Sequence, residues 1–228
     1  MQVMSTMGTP QDPRELPLYD PSEAAPFIGV SPAALAEWMR PNTDEAESSA
    51  PLLQLVEPSS GRLSFANLVE AHILEATRQQ NVSSAVLRRA VDALRTRKHE
   101  TKHPLLTREF NERGKRHFLE SLASSTRGSP NPSVRVGHLA AKLDRYLERI
   151  ERDTNDDPYQ VFPMRRNGSK YVALNIGLAA GHPVIAGTGV RVQHLSNLIQ
   201  GGLSVASVAT RYRLKEDAVA GALRFLAA

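Results

Sequence analysis

Residues 19–38 read YDPSEAAPFIGVSPAALAEW, and the fold turns on this stretch. Asp20-Pro21 places an N-cap carboxylate before a proline at the first helical position, where the missing N–H has no intrahelical partner to lose. Gly29 suits the left-handed residue that closes a helix. Ser31-Pro32 repeats the start signal, and Pro41 ends the second helix near Met39. Leu35 and Trp38 are its core positions. Two short helices joined through a glycine predict a helix-turn-helix.

Working outward, Leu52–Val56 and Arg62–Phe65 flank the turn cluster Pro58-Ser59-Ser60-Gly61, which predicts a small hairpin, a wing. A helix starts near Ser64, with Phe65, Leu68, Val69, Ile73 and Ala76 on one face. Val82-Ser83 restarts the helix with Val86, Ala90, Val91 and Leu94 inward and Arg88, Arg89, Arg95 and Arg97 outward. Residues 104–122 resemble a second hairpin around Asn111-Glu112-Arg113-Gly114. The Ser/Pro/Gly-rich run 123–133 is a linker. A helix over about 138–152 sets Leu139, Leu143, Tyr146 and Ile150 in a narrow seam, of the kind that pairs helices between subunits or packs within one domain. Tyr171–Leu174 alternate as a strand, and two short extended pieces surround Gly187-Thr188-Gly189. Three helices follow, over 193–200, 204–211 and 215–226, as a second helix-turn-helix.

The expected class is therefore mainly α with small β-hairpins, with an N-terminal winged helix-turn-helix and a C-terminal trihelical one. The expected units are a mobile tail (1–17), the winged unit (18–122), the linker (123–133), a connecting helix (134–169) and the trihelical unit (170–228).

Charge points to a polyanionic partner. The 228 residues carry a formal +4, distributed unevenly. Residues 1–60 hold 2 basic and 9 acidic side chains, residues 78–117 hold 11 and 4, and residues 158–228 hold 8 and 2. Such basic blocks attract phosphate, each neutralised phosphate releasing counterions. Ser31 and Arg40 on the second helix, Arg62 on the wing and Arg88, Arg89, Arg95 and Arg97 behind it are the candidate contacts to double-stranded DNA. Arg211, Arg213, Lys215 and Arg224 form a second, C-terminal group.

Catalysis finds no support. There is no cysteine, and the seven histidines form no His-x-x-x-His or Glu-x-x-His pair on a helix face. His99 and His103 lie four apart, but in a Lys/Thr-rich stretch just before Pro104, a poor setting for a metal site. No Gly-x-Ser-x-Gly elbow occurs. Gly181–Thr188 superficially resembles a phosphate loop, but Thr rather than Lys follows Gly187, and Pro183 removes a donor. No catalytic residue, metal or cofactor is expected. The first residues carry no basic flank or apolar run of a signal peptide, and no stretch approaches the roughly 20 apolar residues of a membrane span. A cytoplasmic address is the expectation.

Two segments together resemble a known family. Tyr19–Trp38 looks like the opening of a MerR-like winged helix. Pro183-Val-Ile-Ala-Gly187-Thr188-Gly189-Val-Arg191-Val192, then Gly202-Leu-Ser204, Val208-Ala209-x-x-Tyr212 and Asp217-Ala-Val219-x-x-Ala222-Leu223, resembles a prokaryotic domain of unknown function, number four hundred and thirty-three of its series. Gly189 stands where that family usually carries a larger residue, commonly Arg. In this order, over roughly 18–120 and 170–226, the two resemble VapB-type antitoxins. The resemblance implies a type II toxin–antitoxin pair in which a dimeric antitoxin blocks a PIN-like ribonuclease toxin and represses its own operator. It also implies dimer or toxin contacts through the C-terminal unit, at Arg191, Val219 and Leu223. The alternative is a stand-alone MerR-like regulator responding to a small molecule.

Overall fold

The computed structural model describes residues 11–42, 49–78, 82–97, 101–125, 136–164 and 169–227. Of the expected linker, residues 126–133 lie outside these residues, and residues 123–125 end a helix instead.

The two short helices of the expected helix-turn-helix form where their punctuation places them. Helix α1 spans Pro21–Ile28 and stops at Gly29, whose φ of 77° is the left-handed cap. Helix α2 spans Pro32–Trp38, and the Ser31 hydroxyl accepts from the Ala34 N–H. Asp20 sits at the N-cap of α1 but makes no capping bond; its carboxylate is held by Arg62 instead.

The expected wing is not a hairpin. Residues 58–60 form a single 3-10 turn closed by Gly61 at φ 63°, and only an isolated bridge, Tyr19 to Leu63, is present. The reason lies in the side chains: adjacent Leu52 and Leu53 are both buried, which a two-faced strand forbids. The Leu53 N–H instead closes the end of α2 on the Trp38 carbonyl.

Helix α3, Phe65–Arg78, is the axis of the molecule. Every residue from Phe65 to Thr77 is buried, not the single face its apolar spacing suggested. Helix α1, the helix Val136–Leu147 and the strand Pro158–Val161, together with the turn Pro13–Glu15, pack around it. That turn belongs to the segment expected as a tail. It is held by Arg14 on Asp157 (2.7 Å) and by Glu15 on His103.

Helix α4, Ser84–Arg97, packs on α5, Lys115–Ser125. The second expected hairpin is thus a helix, preceded by a wide turn over Phe110–Gly114. Phe118, Leu119 and Leu122 recur at helical spacing and are buried. Gly114 serves close packing rather than positive φ: a Cβ there would lie 3.3 Å from the Glu109 carbonyl oxygen and from the Phe110 ring.

Helix α6 spans Val136–Leu147 and ends before the expected 152. Ile150 begins strand β1, Ile150–Arg152, so it leaves the seam. Strands β2 (Pro158–Val161), β3 (Val172–Asn175) and β4 (Pro183–Ile185) complete an antiparallel sheet in the order β1-β2-β3-β4. The first hairpin of this sheet was not expected. Helices α7 (Val192–Gln200), α8 (Val205–Tyr212) and α9 (Glu216–Leu226) each pack on the other two, close to their expected bounds. Helix α9 also lies on β3 and β4. At that contact Gly221 admits the Tyr171 ring, into which a Cβ would intrude at 2.3 Å. One hydrophobic cluster runs from Tyr19 to Phe225 through all these elements.

Candidate functional site

The exposed surface of the helix-turn-helix pair is small and weakly cationic. Ser31, Pro32, Ala33, Glu37 and Arg40 face solvent at α2. Arg62 lies nearby, but its guanidinium makes two hydrogen bonds to Asp20, at 3.0 and 3.3 Å. That pairing draws the Asp20 carboxyl below its usual range. Contact with phosphate would require Arg62 to exchange one anion for another.

The arginines of α4 divide. Arg88 is 5% exposed and points inward. Its Nη2 donates to the Glu37 carbonyl at 2.8 Å and its Nη1 to the Ala50 carbonyl at 3.0 Å. It thereby adds a second donor to the Glu37 carbonyl in the last turn of α2, which also accepts from the Arg40 N–H at 3.2 Å. Arg95 is paired with Asp92 at 2.9 Å and donates to the Leu52 carbonyl. Both were expected to face outward; the unpaired carbonyls of the loop before α3 draw them in. Arg89 is exposed. The Arg97 side chain falls outside the described residues.

In the C-terminal unit Arg211, Arg213, Lys215 and Arg224 are exposed. However, the first turn of α9 carries Glu216 and Asp217, which complement the helix dipole and would repel a phosphate there. A major-groove reader presents that very turn to the bases. Val219 is fully buried, Leu223 half-buried and Arg191 exposed. The seam residues Leu139, Leu143 and Tyr146 are at most 1% exposed and pack on α3. The Tyr146 carbonyl accepts from His72 Nε2 at 3.1 Å, and their rings lie 4.7 Å apart. That packing takes up the seam within the chain.

Two arrangements had no signature in the sequence. In the first, His103 lies between two carboxylates: its Nδ1 is 2.8 Å from Glu70 and its Nε2 3.2 Å from Glu15. Burial by itself would lower its pKa, but the two carboxylates together raise it to about 10. This charged histidine bolts the N-terminal segment to α3. In the second, α1 is joined to the C-terminal unit. The buried Tyr19 hydroxyl donates to the Gly181 carbonyl at 3.0 Å, and burial pushes the phenol pKa up. Phe27 stacks on Phe225 with centroids 6.5 Å apart, and Glu23 lies 3.1 Å from His182 Nδ1. Partners 162 residues apart leave no local trace. Among the described residues no group of three or more His, Asp or Glu side chains could hold a metal ion, and no helix is long and apolar enough to cross a membrane.

Comparison with known proteins extends the geometry. The chain is 27% identical to a Mycobacterium tuberculosis protein named "Putative antitoxin VapB45", over 94% of this chain and 95% of that one. It superposes on the crystal structure of Rv2018 from the same organism with a TM-score of 0.69, covering 91% of this chain and 98% of that one at 24% identity, which supports the fold. Residues 172–226, from β3 to the end of α9, match the family described as protein of unknown function DUF433. The family likeness read from the sequence therefore holds as a likeness: a segment that matches DUF433 lies in a chain similar to a protein named "Putative antitoxin VapB45" along nearly its whole length.

Proposed function

We propose that this chain is the antitoxin of a type II toxin–antitoxin pair. It binds and neutralises a PIN-like ribonuclease toxin and, as a cytoplasmic homodimer, represses its own promoter by binding double-stranded DNA. It acts by binding rather than by catalysis. The observation that carries the reading is the end-to-end likeness to a protein named an antitoxin, with the DUF433 match at the C-terminus.

The geometry supports a division of labour. The α1–α2 pair exposes the start of α2, and Arg40, Arg62 and Arg89 are the exposed cations of that half among the described residues expected to meet phosphate. The C-terminal unit, whose α9 opens with two carboxylates, serves the protein partner through Arg191 and Leu223. Leu203, at 37% the more exposed of two exposed large apolar side chains among the described residues, lies in the same unit.

The test is a search for a PIN-like reading frame beside the gene, expected if the proposal holds, and co-expression with its product. Relief of growth arrest and co-elution of the two proteins are expected, and arrest without co-elution overturns the toxin half. For the DNA half, binding to the gene's own promoter fragment is measured across salt concentrations. Arg40→Ala and Arg89→Ala are each expected to flatten the salt slope by about one unit. Slopes that match the unmodified protein would place the DNA surface elsewhere.

A further inference from the structure

The joint between α1 and the C-terminal unit encloses a cleft of about 360 Å³, within the size range of small-molecule sites. Its walls are apolar: Pro26 and Phe27 from α1, Pro183 from β4 and Leu226 from α9. At its rim stand His182, Arg191 and Gln193. Glu23 also lines the cleft, but His182 holds its carboxylate at 3.1 Å. The charge left for a ligand is the Arg191 guanidinium. It gives one N–H to the Ala179 carbonyl at 3.2 Å and, among the described residues, makes no salt bridge. A guanidinium carries five donors in a planar fork that matches a carboxylate.

The backbone beside the cleft is strained. Ala179, Ala180 and Gly181 take φ values of 50°, 52° and 77° in succession. L-residues other than glycine avoid this region, and two neighbouring alanines persist there only where their surroundings impose it. Those surroundings are two bonds already described, from Arg191 to the Ala179 carbonyl and from Tyr19 to the Gly181 carbonyl. Together they hold His182 and Pro183 at the cleft, and such strain gathers at ligand clamps.

We infer that this cleft binds a small organic carboxylate with an apolar body, its carboxylate on Arg191 and its body between Phe27, Pro183 and Leu226. The ligand would touch α1 and the C-terminal unit together. The inference does not rest on the antitoxin reading, because it concerns a free small molecule and needs neither toxin nor DNA.

The test uses the full chain and matched pairs of probes: phenylacetate against phenylacetamide, and octanoate against octanamide. Amide shift changes in proton–nitrogen spectra are expected at His182, Arg191, Gln193 and Phe27, with the carboxylate bound at least about tenfold more tightly than its amide, or 1.4 kcal/mol. Arg191→Gln should abolish that preference and leave binding of the amide unchanged. Because Arg191 also braces the Ala179 turn, a second variant stands beside it. Gln193→Trp, at an exposed position of the rim, should block both members of a pair without removing a charge. Equal binding of acid and amide overturns the inference, as does an absence of shifts at the cleft or a Gln193→Trp protein that binds as before. Shifts on another face would assign the probes to a different site and overturn it equally.

Discussion

At the scale of single residues, the instructive case is Arg88. Its position on a helical wheel marks it as solvent-facing, and its charge makes it an obvious phosphate contact. Instead it is buried, donating to the Ala50 carbonyl and, beside the Arg40 N–H, to the Glu37 carbonyl. Removing it would take the side-chain donor from the Ala50 carbonyl, at about 1–3 kcal/mol, while the Glu37 carbonyl keeps the Arg40 N–H. Arg88→Ala is therefore expected to lower stability by about 1–3 kcal/mol, measured by urea unfolding. Any loss of DNA binding should then track the unfolded fraction and leave the salt slope of the folded protein intact. A stable variant with a flattened slope would return Arg88 to the DNA surface. Arg40, exposed at the end of α2, carries the opposite expectation. The sequence marks both as arginines on helices; only the distribution of unpaired carbonyls separates them.

At the scale of elements, helix α6 shows how a pattern can be read correctly and its partner left open. The spacing of Leu139, Leu143 and Tyr146 indicates an apolar seam, and the seam exists. Its partner is α3 of the same chain, and its fourth expected member, Ile150, belongs to β1. Leu143 is fully buried, so Leu143→Asp places a carboxylate in the core and is expected to cost about 4 kcal/mol or more. That is comparable with the whole stability of a small protein, and the far-ultraviolet dichroism and cooperative melt should be lost together. A folded variant of altered mass in solution would show that α6 pairs across subunits instead. Local punctuation was the dependable guide elsewhere: Gly29 and Ser31 at the first pair, Ser204 at α8. Hairpins inferred from turn-forming residues failed at 52–65 and 104–122. Asn, Glu, Arg and Gly suit a wide helical turn as well as a tight hairpin, and burial of Phe118, Leu119 and Leu122 decided between them.

At the scale of the molecule, two buried histidines set opposing limits on stability. His103 has a pKa raised to about 10 in the folded chain from an ordinary 6.5, so its contribution is complete below 6.5 and is lost as pH rises toward 10. His72 is the reverse: burial lowers its pKa to about 4, outweighing its bond to Tyr146. Its Nδ1 finds no partner among the described residues, so a proton there would be unsatisfied. Stability is thus lost as pH falls from 6.5 toward 4. Each arm has a slope of about 1.4 kcal/mol per pH unit. The melting temperature should peak near pH 6.5, with His103→Gln flattening the alkaline arm and His72→Leu the acid arm; a wild-type profile level from 4 to 10 would refute both. The sequence alone determined the helix pair at 21–38, the three closing helices, the family likeness and the basic bias, because caps, glycines and apolar periods act over a few residues. The tertiary structure alone decided which arginines stay at the surface, what α6 packs on, that His103 is charged and that α1 closes a cleft with the C-terminal unit. Those outcomes depend on burial and on unpaired polar groups brought together from distant parts of the chain, as Tyr19 and Gly181 are, and no local pattern encodes such a meeting.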